Sequence, residues 1–326
     1  MRIAVFGDIH GNLFGLEAAL ADLRLQSPDA MLVTGDLVYK LPWGAEVIDL
    51  LRTLPHQAVI GNAELYLTLW GTPLWPGARW DLPLAHEVVE WERARLGPER
   101  LAWLAALPEH AALSAGRLED LLVVHGVPGN PFLPLLPRPG EDRSPWVQTD
   151  ARATELLGAV DADVVVAGHT HTVMFRRVPS HAAHGTLIVN PGSLSYGRGR
   201  DAIVGRATYA LLDWSATTGW QATLREVRYD PGPMHAALLA LRGDYPVAAY
   251  IANRMRPPGT EPLPEQRLDL IRFRWGDAPA WWDQRDELPA WRAARCLRPV
   301  WATDVAASCA TSPITREASS GRADLV

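Results

Sequence analysis

The chain has 326 residues with 31 basic and 37 acidic side chains, so its formal net charge is −6. This balance excludes a generic nucleic-acid binder, since non-specific affinity for polyanions requires a basic surface. Hydrophobic residues make up 48% of the chain, which excludes bulk disorder. No apolar stretch approaches the roughly 20 residues of a membrane span, and no secretory signal pattern is present. With only 2 cysteines, a disulfide framework is not expected and a cytoplasmic location is.

The first 62 residues alternate between short apolar runs and amphipathic helical patterns. The apolar runs predict strands, and the three- and four-residue spacing of leucines between them predicts helices. This alternation implies right-handed crossovers and a parallel sheet, with any site at the carboxyl ends of its strands. The predicted strands span 3–6, 30–34 and 57–60, with helices near 13–23 and 47–51.

The pattern changes between residues 65 and 108, where we expect a helical insertion that forms a cap over the sheet. Residues 128–145 carry six prolines and are expected to form a loop. Periodicity ends near residue 256, so the chain is predicted to hold one domain (1–256) and a partly disordered C-terminal extension (257–326). The other predicted elements are helices at 87–95, 99–107 and 234–254, and strands at 121–124, 164–167, 186–189, 208–212 and 221–229.

Five short polar segments each follow an apolar strand pattern. Because the carboxyl ends of strands in a parallel or mixed sheet share one edge, we expect these segments to converge. Their candidate ligands are two carboxylates, one carboxamide and four imidazoles, a donor set that suits Mn, Fe, Zn, Co or Ni. One Gly-Asp or Gly-Asn pair alone is more typical of an ordinary turn, whereas all five together favour a metal site. The segments are 8–12, 35–36, 61–64, 125–126 and 168–171.

The ordered set of segments resembles the calcineurin-like metallophosphoesterase superfamily over about residues 1–250. Within that superfamily the sequence is similar to the small bacterial and archaeal branch that hydrolyses phosphodiesters. Residues 190–193 (Asn-Pro-Gly-Ser) and 209–213 (Tyr-Ala-Leu-Leu-Asp) are further matches. The resemblance implies an α/β fold, a four-layer αββα sandwich with the helical cap. It also implies two divalent metal ions, Mn²⁺ first, with Fe, Zn, Ni, Co and Mg as alternatives.

The resemblance also implies a ligand set and a reaction. A hydroxide bridging two cations would attack phosphorus in line, without a covalent enzyme intermediate. His10, Asp36 and Asn62 are the candidate catalytic residues. The first metal is expected to take Asp8, His10, Asp36 and His171, and the second Asp36, Asn62, His125 and His169, with Asp36 bridging.

One position departs from the superfamily. Ala63 stands where many members have a histidine that protonates the leaving group or contacts the phosphate, so the general acid is unidentified. We therefore expect weaker activity on poor leaving groups than on activated diesters. Asn12 and Arg198 are the candidate substrate contacts; for Arg198 a solvated hairpin tip is an equal alternative.

Three functions stay open at this point. The first is a dinuclear phosphodiesterase acting on a small, nucleotide-type phosphodiester. The second is a phosphomonoesterase or dinucleoside-polyphosphate hydrolase, because the loop at 127–146 leaves the substrate class open. The third is a non-catalytic metal-binding scaffold that uses the fold as an interaction surface. The complete ligand set disfavours a scaffold, and Ala63 is the one feature that favours it.

Overall fold

A computed structural model of the chain describes residues 1–72, 83–113, 121–138, 147–196 and 204–263. No helix among these residues is long and apolar enough to cross a membrane. The elements are β1 (Arg2–Phe6), α1 (Leu13–Gln26), β2 (Ala30–Val33), α2 (Gly44–Arg52), β3 (Gln57–Ala58), α3 (Asn62–Thr68), α4 (Pro83–Ala105), β4 (His110–Leu113), β5 (Leu121–Val124), α5 (Asp150–Leu157), β6 (Val164–Ala167), β7 (Met174–Val178), β8 (Thr186–Asn190), β9 (Arg206–Ser215), β10 (Gly219–Arg228), α6 (Gly232–Ala240) and α7 (Ala248–Arg254).

The strands form two mixed sheets of five strands each. The first has the order β10-β9-β1-β2-β3, in which β1, β2 and β3 are parallel and β9 runs antiparallel to β1. The second has the order β4-β5-β6-β8-β7, with β5, β6 and β8 parallel. The parallel strands in each sheet direct their carboxyl ends to one edge, where the polar segments follow.

The central strands are buried on both faces, so their side chains alternate between two hydrophobic cores. Ile3 and Val5 of β1 lie in a core that the two sheets share. Ala4 and Phe6 lie in a second core, with helices α1 to α4, α6 and α7. β6 alternates in the same way, and its outward residues pack against α5. The layers are therefore helices, sheet, sheet and helix, which confirms the predicted α/β fold.

The sequence patterns missed β4, β7 and α5. In β7 the reason is physical: Arg176 occupies a position where alternation would place an apolar side chain, and it is 1% exposed. Its guanidinium donates to Asp150 and to the Gln148 carbonyl, so its charge and donors are satisfied in the interior. Because this buried side chain is charged, hydropathy alone does not identify the edge strand β7.

Two of the predicted elements have boundaries whose difference from the structure has a clear physical reason. The single helix expected at 234–254 is two helices, α6 and α7, separated by a turn that contains Pro246. The strand expected at 57–60 ends at Ala58, because the Ile60 amide turns away to the Pro108 carbonyl at 2.7 Å.

The insertion at 65–108 contains α4, which packs against α2 and α3. The helix bends at Gly97, where φ is 70°, and this bend separates the two helices predicted at 87–95 and 99–107. The role of this insertion as a cap stays a prediction, as does the domain boundary near residue 256. Residues 264–326, which make up most of the extension predicted to be partly disordered, lie outside the described residues.

Candidate metal centre

The loops after β1 and β2 are joined by backbone hydrogen bonds at the sheet edge. The Asp8 amide donates to the Gly35 carbonyl at 3.0 Å, and the His10 amide donates to the Asp36 carbonyl at 2.9 Å. The loops after β3, β5 and β6 reach the same edge, as the contacts of their side chains below show. The topology of two parallel strand groups therefore brings the five polar segments into one place.

Five of the predicted ligands have left-handed backbone conformations. Non-glycine residues in this region cost on the order of 1 kcal/mol or more each and persist only where their surroundings fix them. Such strain is typical of sites where side chains must point in one direction, and here it turns the side chains inward. The φ values are 48° for Asp8, 49° for His10, 53° for Asp36, 70° for His169 and 56° for His171.

The predicted ligand side chains form two groups that share Asp36. Within each group the ligand atoms lie within 4.8 Å of one another. Asn62 adjoins the second group, with Oδ1 2.7 Å from His169 Nδ1 and 2.9 Å from His125 Nε2. All these side chains are buried. The first group is Asp8, His10, Asp36 and His171, and the second is Asp36, His125 and His169.

Backbone carbonyls fix the tautomers of three of the histidines. Nδ1 of His10 lies 3.1 Å from the Tyr39 carbonyl, Nδ1 of His125 lies 2.7 Å from that of Thr34, and Nδ1 of His171 lies 2.8 Å from that of Tyr196. A carbonyl only accepts, so each Nδ1 carries a hydrogen, and in the neutral ring each Nε2 presents a lone pair to the site.

These lone pairs require a positive charge between them. Nε2 of His10 lies 3.0 Å from Nε2 of His171, and both also face carboxylates at 3.3 Å, His10 facing Asp36 and His171 facing Asp8. Two bare nitrogens at this separation repel unless a cation or a proton lies between them. Imidazole and carboxylate donors at this spacing fit a borderline divalent metal ion.

The electrostatics of the second group also indicate a site for a cation. Burial lowers the pKa of His125, but Asp36 and Asp8 outweigh it and raise that pKa to about 9. Burial also opposes charge on Asp36, yet His125 and His10 hold its pKa well below the usual value. The centre therefore stabilises a negative carboxylate facing a positive partner, the charge arrangement that metal binding uses.

Glu64 holds two of the ligand-bearing loops together. This buried carboxylate accepts hydrogen bonds from the amides of Gly61 at 2.7 Å, Asp36 at 2.9 Å and Leu37 at 2.8 Å. Burial and the nearby Asp36 raise the pKa of Glu64 to about 7. Sequence reasoning gave it no role, although its place as the third residue of α3 is the usual position for a carboxylate that caps a helix start.

Glu92 holds the next part of the Asp36 loop. It lies in α4, is 3% exposed, and accepts hydrogen bonds from the amides of Tyr39 at 3.0 Å and Lys40 at 2.9 Å. The Tyr245 hydroxyl donates to Glu92 at 3.2 Å and to the Lys40 carbonyl at 3.0 Å. No sequence pattern points to Glu92, because only the packing of α4 brings it to this loop.

The remaining predicted site residues differ in their placement. Asn12 is fully buried, accepts a hydrogen bond from the Gly15 amide, and donates to the Leu194 carbonyl and the Tyr229 hydroxyl. These contacts are with the protein itself, and a substrate contact by Asn12 stays a prediction. Arg198 lies outside the described residues. Ala63 contributes its backbone amide, which donates to Asp36 Oδ1 at 2.8 Å.

The sequence model of the calcineurin-like phosphoesterase superfamily domain matches residues 1–217. The chain belongs to this superfamily. Among solved structures, a metallophosphoesterase from Sphaerobacter thermophilus is similar, with a TM-score of 0.55 and 27% identity over 74% of this chain and 93% of that chain. This agreement of sequence and structure confirms the resemblance predicted from the motifs.

Two further solved structures match at lower similarity. The phosphoesterase Yfce from E. coli has a TM-score of 0.37 and 19% identity, covering 71% of this chain and 100% of its own. An archaeal phosphodiesterase has a TM-score of 0.38 and 18% identity, covering 69% of this chain and 100% of its own. No curated protein matches this chain at a significant level.

Family membership and the ligand cluster together define the class of chemistry. The protein is a metal-dependent hydrolase of phosphoric esters. Members of this superfamily use divalent metals, and the buried cluster around Asp36 supplies the donors that such metals need.

Proposed function

We propose that this phosphoesterase is a dinuclear, metal-dependent phosphodiesterase that acts in the cytoplasm on a small, nucleotide-type phosphodiester. One observation carries the proposal: two groups of ligand atoms share a single buried carboxylate, that of Asp36. One carboxylate with two oxygens can ligate two ions, whereas a mononuclear site needs no second set of imidazoles. The similarity to the metallophosphoesterase from Sphaerobacter thermophilus supports a metal-dependent phosphoesterase.

The candidate ligands would divide between two ions. When bound, two divalent cations, Mn²⁺ in this proposal, would activate water and neutralise the phosphoryl oxygens. Asn62 supplies a neutral oxygen, so it adds a ligand without adding negative charge where an anionic phosphoester must enter. Asp8, His10 and His171 would hold the first ion, Asn62, His125 and His169 the second, and Asp36 both.

The chain's own hydrogen bonds prepare these ligands. The carbonyls of Thr34, Tyr39 and Tyr196 fix three imidazole rings, so the rings lose no freedom when ions bind. Glu64 holds the backbone of Asp36 by accepting its amide hydrogen. Ala63 carries no group that transfers a proton, so the leaving group must leave with help from water or another residue. The proposed enzyme therefore prefers diesters with acidic leaving groups.

Metal analysis and a diester assay test this function directly. The protein is reconstituted with Mn²⁺, its metal content is measured by elemental analysis, and hydrolysis of bis-p-nitrophenyl phosphate is followed. Asp36→Asn removes the shared charge but keeps an oxygen that can accept from the Ala63 amide. The control, Asp49→Asn, changes a half-exposed aspartate on α2 that pairs with Arg100.

We expect two metals per chain and diester hydrolysis in the wild type and in Asp49→Asn. In Asp36→Asn both metal content and hydrolysis fall. Undiminished hydrolysis in Asp36→Asn, or fewer than two metals in the wild type, would reject the dinuclear site.

The other functions appear as distinct outcomes of the same assay. Faster turnover of p-nitrophenyl phosphate or of a dinucleoside polyphosphate than of the diester would indicate the second function. Two bound metals with no hydrolysis of any of the three substrates would indicate a scaffold, which Ala63 favours.

A further inference from the structure

Lys40 is the only lysine in the chain, and it lies at the edge of the metal centre. Its Nζ is 3.3 Å from Nε2 of His10 and 5.1 Å from the centre of the Tyr196 ring. The side chain is partly exposed, whereas the proposed ligands beside it are buried. Its ammonium group therefore lies where the buried centre meets solvent, which is where a substrate has to enter.

The backbone at Lys40 is held in an unusual conformation. Tyr39 has φ 71° and Lys40 has φ 98°, both in the left-handed region that side chains disfavour. Glu92 accepts both amide hydrogens, and the Tyr245 hydroxyl donates to the Lys40 carbonyl. Three hydrogen bonds from α4 and the segment before α7 thus fix this strained turn. Strain held by dedicated partners is typical of functional positions.

The position of the ammonium group has a chemical consequence. Nε2 of His10 carries the lone pair that faces Lys40, and the proposed function assigns the same lone pair to a metal ion. With that nitrogen on a cation, the ammonium group loses this acceptor and is repelled by a like charge. The four-carbon stem of lysine lets the group move to another acceptor nearby. An anionic phosphoryl oxygen at the centre is the acceptor of matching charge.

We infer that Lys40 binds the phosphoryl group of the substrate through its ammonium group, and that Glu92 is the positioning residue that aims it. This inference rests on the proposed function, because it needs a phosphoester at the metal centre. Lys40 keeps its proton throughout and acts by charge, so it does not fill the role of the missing general acid. It would contact the same phosphoryl group in a diester substrate and in the phosphomonoester product, whose anionic oxygens inorganic phosphate shares.

A single lysine makes a direct binding measurement simple. Reductive methylation with ¹³C-formaldehyde labels only Lys40 and the α-amino group, and dimethylation preserves the positive charge. The protein is loaded with diamagnetic Zn²⁺ and titrated with inorganic phosphate, and ¹³C NMR follows both signals. Lys40→Arg, which retains only the α-amino signal, assigns the spectrum. We expect the Lys40 signal to shift and saturate with phosphate while the α-amino signal stays constant. An unmoved Lys40 signal would overturn the inference.

Variants of Lys40 and Glu92 distinguish a direct contact between Lys40 and phosphate from a signal change that phosphate causes by binding nearby. In Lys40→Met, calorimetry should show phosphate affinity reduced about 10- to 100-fold, the loss of one charge-assisted hydrogen bond. Lys40→Arg should recover part of that affinity, and both variants should bind metal as the wild type does. Glu92→Gln should weaken phosphate binding less than Lys40→Met, with unchanged metal content. Wild-type phosphate affinity in Lys40→Met would overturn the inference.

These results also distinguish the two proposals. Phosphate binding that depends on Lys40 without any ester hydrolysis would reject the proposed function and support the phosphate contact. Diester hydrolysis and phosphate affinity that Lys40→Met leaves unchanged would reject the contact and leave the proposed function standing.

Discussion

Replacing Asn12 by alanine should destabilise the fold rather than impair substrate binding. The substitution removes the hydrogen bond from the Gly15 amide at 3.0 Å, which caps α1. It also removes the bonds that Nδ2 donates to the Leu194 carbonyl at 3.0 Å and to the Tyr229 hydroxyl at 2.8 Å. A helix cap contributes about 1 kcal/mol and each neutral hydrogen bond about 0.5–1.5 kcal/mol, so we expect a loss of about 2–4 kcal/mol.

Urea unfolding of the metal-free protein measures this loss without the stability that bound metal adds. Asn12→Ser keeps an oxygen that caps α1 and loses the amide nitrogen that donates to Leu194 and Tyr229, so it should cost about 1 kcal/mol less than Asn12→Ala. The control is Gln221→Ala on β10, whose side-chain amide bonds only at the surface, to the Thr218 carbonyl at 3.1 Å. It should change stability by less than about 0.5 kcal/mol.

Steady-state kinetics on the surviving folded protein completes the comparison. Because the Asn12 amide contacts other parts of the protein, KM for a diester should change little in Asn12→Ala. An unchanged urea midpoint together with a large rise in KM would refute this reasoning. It would support instead the role predicted from the sequence, in which Asn12 contacts the substrate.

Two further predictions follow from the loop contacts. Burial raises the pKa of Glu92 from its ordinary value of 4.5 to about 8. Its contribution to stability is therefore complete below about pH 4.5 and is lost as the pH rises through about 8, with a slope approaching 1.4 kcal/mol per pH unit. Urea midpoints across this range should lose that slope in Glu92→Gln, and an unchanged slope would show that another group causes it. In Gly61→Ala the new Cβ would overlap Asp36 Oδ1, so metal content should fall. Gly243→Ala, which has open space and no positive φ, should retain it.

The candidate ligands that converge in the structure could be proposed from the sequence because each stands beside a local signal. An apolar run ending in Gly-Asp or Gly-His marks a strand end whatever the rest of the chain does. The order of such segments then identified the superfamily, and the family match confirms that step. Hydropathy also located the central strands, since strands buried on both faces are continuous apolar runs.

Other features had no local signal. The charge of Arg176 concealed the apolar alternation of β7. This side chain can be buried because Asp150, 26 residues earlier in the chain, satisfies its charge. Glu92 and Lys40 are 52 residues apart, and only the packing of α4 against α2 and α3 brings them together. The hydrogen bonds of Asn12 to Leu194 and Tyr229 cross a still longer stretch of chain.

The sequence by itself determined the layered α/β fold, the superfamily and the residues available to bind metal. The resemblance had already predicted Asp36 in both ligand groups. The tertiary structure decided which way each of these side chains points and that Lys40 stands beside them. The physical reason is the distance along the chain over which each signal acts. Residue spacing records the period of a single strand or helix. The carbonyls that fix the imidazole rings and the carboxylates that hold the loops come instead from distant segments. Those partners exist only once the two sheets have packed together.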